Sequence, residues 1–238
     1  RRKRAEQSTT LHLCADLFGP EAPERHNAGG ASGLQQEEQL INKNNRWALV
    51  VIEENTLVGY TAHFDIKSDA KKHLQAAVSW FQSVMRKKVV EIIIDNGTEF
   101  KGVLDDTTMH DYLIYNGIHT RPTIAHEAVK NSLVERFNDI VVTKARVLLQ
   151  RARLPTWLHA FAVDYAMHML NHASRTAAGG VAPMHYMPNA STIEREKDLI
   201  MFGERVSAYN HKGDRASRFA SRGAHAIYLG IDRATGAH

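Results

Sequence analysis

One short apolar run that stops abruptly on a carboxylate constrains this chain more than any other feature. Residues 89–102 read VVEIIIDNGTEFKG, so the run ends at Asp95 and passes at once into Asn96-Gly97. β-Branched residues favour the pleated, buried setting of a central strand, and Asn-Gly supplies the turn that ends one. A carboxylate there points into the active-site edge of an α/β sheet. Earlier, LHLCADLFGP is a second apolar strand that ends in a carboxylate, Asp16. Later, Glu135 stands near the start of a long amphipathic helix in NSLVERFNDIVVTKARVLLQRAR. Three acids brought together from two strand ends and a helix start would make a metal site.

The surrounding pattern supplies a frame for these acids. Residues 11–17 read as a first strand, closed by Gly19-Pro20; residues 47–52 and 56–66 read as a hairpin about Glu53-Glu54-Asn55. Leu74, Val78, Phe81 and Met85 recur at helical spacing within residues 69–87, which predicts a helix packed on the sheet before the Asp95 strand. Past Asp95, Thr98 can cap a short helix and residues 111–115 form another, before Asn116-Gly117 leads into IHTRPTIAHEAVKN, read as a mobile loop. The helix over residues 131–153 places Leu133, Phe137, Val141, Ala145, Leu148 and Ala152 on one face. Its other face carries Glu135, Asn138, Asp139, Arg146, Gln150 and Arg153. Pro155 ends that helix and suits the first turn of the next, over 156–172, with Leu158, Phe161, Ala162, Tyr165 and Met169 as its buried stripe.

Composition sets the limits. With 238 residues, 43% hydrophobic and 24% charged, the chain can bury one good core and a small appendage. Residues 1–10 are basic and polar, a linker or a frayed terminus, and residues 21–45 hold almost no large apolar side chains, which predicts an exposed insertion. The core then spans 11–178, followed by a linker over 179–198 and short β-like pieces over 199–238. No apolar run approaches the length of a membrane span, and no membrane partner is expected. The chain opens on Arg1 and not Met, which suggests a piece of a longer polyprotein. Cys14 is the one cysteine, so neither an internal disulfide nor an all-cysteine zinc site can form. It reads as a core residue and not a nucleophile, since no motif sets a histidine beside it. The 14 histidines have no zinc-site spacing. A net charge of +4 makes a polyanionic partner plausible.

Carboxylates suit phosphodiester chemistry, because two divalent ions held by shared acids stabilise the attacking and leaving oxygens together. Taken singly, Asp95 is a turn former and Asp16 a strand-end residue facing water; taken as an ordered triplet, they read as a site. Glu99, Asp105, Asp106 and Asp111 compete for the role, but none starts a long helix after a loop. For DNA, Asn138, Arg146, Gln150 and Arg153 run away from Glu135 along the exposed face, with Lys130, Asn131 and Arg136 close to the acid. Such a line can follow a phosphate backbone, or it can be a solvated basic face.

The order of DLFGP, DNGTEF, NGI and ERFN, then LPTW, LNH and MFGERVSAY, resembles the integrase of copia-type LTR retrotransposons, within the retroviral integrase superfamily. The resemblance runs over nearly the whole chain. It implies an α/β, ribonuclease H-like catalytic core, a mixed central sheet flanked by helices, followed by the start of a small β-barrel-like domain. It also implies that Asp16, Asp95 and Glu135 are catalytic and hold two magnesium or manganese ions. The implied function is metal-dependent 3′-end processing and strand transfer of element DNA into target DNA, by a homo-oligomer on double-stranded DNA. The implied location is the nucleus, after passage through cytoplasmic virus-like particles.

The sequence departs from the family beside Glu135. Ala128 stands where the family has a proline, and Lys130-Asn131-Ser132 replaces Gln-Asn-Gly. The interval from Asp95 to Glu135 is also longer than usual, and Glu53-Glu54 takes the place of an Ile-Asp-Asp turn. Two alternatives therefore stand beside the integrase: a DNA-binding or assembly module that kept the fold and lost turnover, and a transposase or nuclease of the ribonuclease H-like superfamily.

Overall fold

The structure is a computed structural model that describes residues 8–19, 45–94, 107–122, 128–174, 180–189, 200–209 and 221–230, with backbone alone at 122 and 128–132. Strands β1 (Thr10–Phe18), β2 (Trp47–Glu53) and β3 (Gly59–Phe64) form an antiparallel meander. Helix α1 (Ala70–Met85) then crosses to β4 (Lys88–Ile94), which pairs parallel with β1. After α2 (Thr107–Asn116), β5 (His119–Pro122) adds parallel to β4, giving the sheet order β3-β2-β1-β4-β5.

Strand alternation divides the core in two. Leu11, Leu13, Ala15 and Leu17 of β1 face α1, which buries Leu74, Val78, Phe81 and Met85 as its spacing predicts. Cys14 faces the opposite side, where α3 (Ala128–Ala152) and α4 (His159–His172) cover the sheet. Helix α3 buries Val134, Phe137, Val141, Ala145 and Leu149, with Leu133 and Leu148 only partly covered. The helix is thus turned slightly from the expected stripe, because it packs into the angle between the sheet and α4. Phe161, expected in the stripe of α4, is 37% exposed; Ala166, Met167 and Leu170 fill that core in its place.

Two stretches differ from the sequence reading. The segment read as a mobile loop holds strand β5 and the first turn of α3, which starts at Ala128 and not at 131. Arg153 lies just past the helix with φ 53°, the left-handed residue that stops it ahead of Pro155. Residues 183–187, inside the stretch expected as a linker, lie on the α1 core through buried Met187 and partly buried Met184 and Tyr186. The expected short helix at Thr98 and nearly all of the insertion over 21–45 lie outside the described residues.

Where the start of a small barrel is expected, residues 210–220 and 231–238 lie outside the described residues, and the others carry a two-stranded antiparallel ribbon, β6 (Arg205–Tyr209) with β7 (Gly223–Ile227). It is tied to the core: Phe202 and Tyr228 are buried against Tyr165 of α4, whose hydroxyl donates to the Ile200 carbonyl at 2.9 Å. No helix among the described residues is long and apolar enough to cross a membrane.

Candidate active site

Asp16 lies near the end of β1 on the face covered by α3, since it alternates with Cys14, which packs against that helix. Both of its oxygens are held. The Leu17 backbone N–H donates to Oδ1 at 2.8 Å, and the Asn138 side-chain amide donates to Oδ2 at 2.6 Å. The register of the parallel ladder pairs Ala15, the residue before Asp16, with Ile94, the residue before Asp95. Asp95 itself lies outside the described residues.

Glu135 stands in the second turn of α3, exposed to solvent. With Asp16 and Asn138 it lines an open cleft of about 680 Å³. The cleft continues along the helix past Asp139, Val142 and Thr143 to Arg146, with Phe18 of β1 as the facing wall. These helix residues recur at three- and four-residue intervals and so share one face. Two of the three predicted acids therefore meet in one cleft.

The residues expected to touch DNA separate into groups. Arg146 lines the cleft, whereas Arg136, Gln150 and Arg153 are exposed outside it. Asn138 was expected on the exposed face but is 8% exposed, because three positions on from Glu135 the helix has turned it toward the sheet. Its Nδ2 is spent on Asp16, and its Oδ1 is buried without a hydrogen bond among the described residues. The side chains of Lys130 and Asn131 lie outside the described residues. Phe18, Val142 and Thr143 were not singled out from sequence, although each follows an acid at the spacing of its own element: Phe18 two after Asp16, Val142 and Thr143 seven and eight after Glu135.

The donor set suits a hard cation. Among the described residues that line the cleft are carboxylate, amide and hydroxyl oxygens but no imidazole and no thiol, the pattern for magnesium or manganese and not for zinc. Asp16 and Glu135 would hold such an ion, with Asp95 as the third acid of the expected set. The described residues alone contain no group of three metal-ligating side chains.

Cys14, two residues before Asp16 on the same sheet face, plays no part in nucleophilic chemistry. Burial, then the carboxylates of Glu54, Glu53 and Glu91, push its thiol up to about 12. The thiolate is suppressed at neutral pH.

No family model matches the sequence. In structure the chain is similar to one from the simian T-cell lymphotropic virus intasome in complex with PP2A regulatory subunit B56 gamma, with a TM-score of 0.52 and 16% identity over 90% of this chain and 68% of that one. Against the HTLV-2 integrase catalytic core domain in complex with magnesium (trimeric form), the TM-score is 0.49 and the identity 15%, over 74% of this chain and 95% of that one. At such identity the likeness concerns the fold. The mixed five-stranded sheet flanked by helices is a ribonuclease H-like fold.

Proposed function

We infer that this chain is the catalytic core of a retrotransposon integrase of the copia type, acting on double-stranded DNA as a homo-oligomer in the nucleus. The observation that carries the reading is one cleft shared by Asp16 near a strand end and Glu135 on α3, with the strand that leads to Asp95 paired parallel to β1. Further support comes from the motifs DLFGP, DNGTEF and ERFN and from the likeness of fold.

Two displacements at phosphorus make up the reaction. In the first, water attacks a phosphodiester near the donor end, the bond to the 3′ oxygen breaks, and that oxygen leaves as a hydroxyl. In the second, this hydroxyl attacks a target phosphodiester, a new ester forms, and the displaced target oxygen leaves as its own 3′-hydroxyl. Divalent ions, when bound, supply charge stabilisation to the attacking and leaving oxygens. Asp16, Asp95 and Glu135 would hold them, with Asn138 and the Leu17 N–H orienting Asp16 and Arg146 engaging the phosphate backbone.

The test is joining of a labelled donor end to plasmid DNA in magnesium or manganese. The parent chain is expected to join and Asp95→Asn to fail while retaining its fold, because the substitution removes charge and little volume. The second reading, a DNA-binding module without turnover, is favoured by the departures at Ala128 and Lys130-Asn131-Ser132 beside Glu135. No joining by the parent, together with retained DNA binding and a melting temperature indifferent to magnesium, would establish that reading instead.

A further inference from the structure

We propose that His168 and His172 form a binding site for one zinc ion in the last turns of α4, outside the acid cleft and unlike it in chemistry. In sequence the pair is only a four-residue interval without a third ligand, which is no zinc motif. The helix makes it a chelate, because residues four apart lie one above the other on the same face. Their rings face each other with centroids 4.2 Å apart and planes tilted by 34°. Two nitrogens at about 2.0–2.1 Å from a tetrahedral ion lie roughly 3.4 Å from each other, so a small rotation of the rings lets both reach one ion.

The proton on His172 is placed by its neighbour. Its Nδ1 lies 2.9 Å from the His168 carbonyl oxygen, and a carbonyl only accepts, so Nδ1 is the atom that carries the proton. In the neutral ring Nε2 is then a lone pair. It is buried, and no group among the described residues donates to it. A buried acceptor without a donor is costly, whereas one ring nitrogen anchored on a carbonyl with the other left bare is how a metal-binding histidine is prepared. His172 is also the last residue of α4, where the helix dipole carries partial negative charge and favours a cation. One turn before His168 on the same face stands Asp164, whose Oδ1 lies 3.1 Å from His63 Nε2, and its carboxylate adds to the negative potential. Imidazole donors suit zinc, the reverse of the acids around Asp16, which suit magnesium. Among the described residues no third histidine, cysteine or carboxylate joins the pair, so water completes the shell and the affinity falls well below that of a four-ligand structural site. A bound ion ties down the turn that carries Asn171, whose side chain holds β3 through Gly59.

Zinc titration of the full chain by calorimetry tests the site, in excess magnesium, which competes at carboxylates. One zinc per chain should bind, and zinc at about a hundredfold its Kd should raise the melting temperature by several degrees. His172→Asn keeps a donor for the His168 carbonyl and lacks Nε2, and His168→Gln removes the other ring; each should abolish the one-to-one binding. His225→Asn, on the ribbon, should bind zinc as the parent does. Circular dichroism checks that each variant folds. In the parent, the ring-nitrogen resonances of two histidines alone should move as zinc is added, a reading that needs no variant. Zinc binding that both variants leave intact, or resonances that move in many histidines at once, overturns the site. So does a folded parent that binds no zinc. The integrase reading stands or falls separately, on the joining assay.

Discussion

The side-chain amide of Asn138 donates to Oδ2 of Asp16 at 2.6 Å, and so ties the long helix to the central strand inside the acid cleft. Asn138 sits three residues beyond Glu135, so the same bond fixes how far the helix-borne acid stands from the strand-borne one. On the integrase reading, a rigid second contact of this kind would keep the two acids within the tolerance that phosphoryl chemistry needs.

Asn138→Ala should therefore slow joining more than it destabilises the fold. A hydrogen bond to a charged group contributes about 1.5–3 kcal/mol, which in a transition state corresponds to a loss of roughly tenfold or more in rate. The check is joining rate against magnesium concentration, where a less ordered Asp16 raises the metal requirement. Parent-like kinetics would mean that the other contacts of Asp16, the Leu17 N–H among them, orient the carboxylate.

A second asparagine does structural work at the sheet edge. Asn171 is 4% exposed; its Oδ1 accepts from the Gly59 N–H and its Nδ2 donates to the Gly59 carbonyl, both at 2.8 Å. This pair locks the end of α4 onto the first residue of β3. Asn171→Ala leaves two buried backbone groups without partners and should cost about 2 kcal/mol or more. Urea unfolding would report it as a lower midpoint at unchanged slope; an unchanged midpoint would mean that water replaces the amide.

These two asparagines mark where the sequence is legible and where it is not. The α1 stripe follows from its helical period, since that helix buries one face, and the hairpin from two apolar runs about the polar turn at Glu53-Glu54-Asn55, with β2 buried on both faces. Strand β5 is missed because HTRP offers no alternation; it is straightened by pairing with β4, distant in the chain. Of the candidate site, Asp16 and Glu135 are visible as strand-end and helix-start acids. Asn138 is misplaced, because a polar residue between Phe137 and Asp139 looks solvated until its partner, far away in the chain, is known. A signal exists in both cases: Asn138 adjoins buried Phe137, and Asn171 follows Met169-Leu170 within an apolar helix. A polar side chain at such a position must find a partner.

Cys14 makes a prediction about alkaline stability. Its thiol rises from an ordinary 9.0 to about 12 in the folded chain, through burial and then the carboxylates of Glu54, Glu53 and Glu91. Between those values the unfolded chain gives up the proton and the folded chain keeps it. This contribution to stability is therefore complete below about pH 9 and is lost as pH climbs toward 12. Native protein should resist thiol alkylation at pH 8 and react once unfolded, and Cys14→Ala should flatten the alkaline decline. Rapid alkylation of the native protein would contradict the burial.

The ribbon should depend on a single glycine. Gly203 holds φ +81°, in the left-handed region that side chains avoid, and a methyl group there would run into the Cβ of Ala152 at the end of α3. Its N–H donates to the Tyr228 carbonyl at 2.8 Å, and the Tyr228 N–H donates to the Glu204 carbonyl at 2.9 Å. The turn at Phe202-Gly203 thus joins three elements: the C-terminal end of α3, the start of β6 and the end of β7. A two-stranded ribbon is marginal by itself, so this docking is what orders it. Gly203→Ala pays for a left-handed alanine, about 1–2 kcal/mol, and for the clash as well. Because the sheet and α1 make no use of this turn, the loss should be local. Hydrogen exchange would then accelerate in Arg205–Tyr209 and Gly223–Ile227 while β1 and β4 keep their protection. Equal protection of the ribbon in parent and variant would show that Tyr165, Phe202 and Tyr228 hold it without the turn.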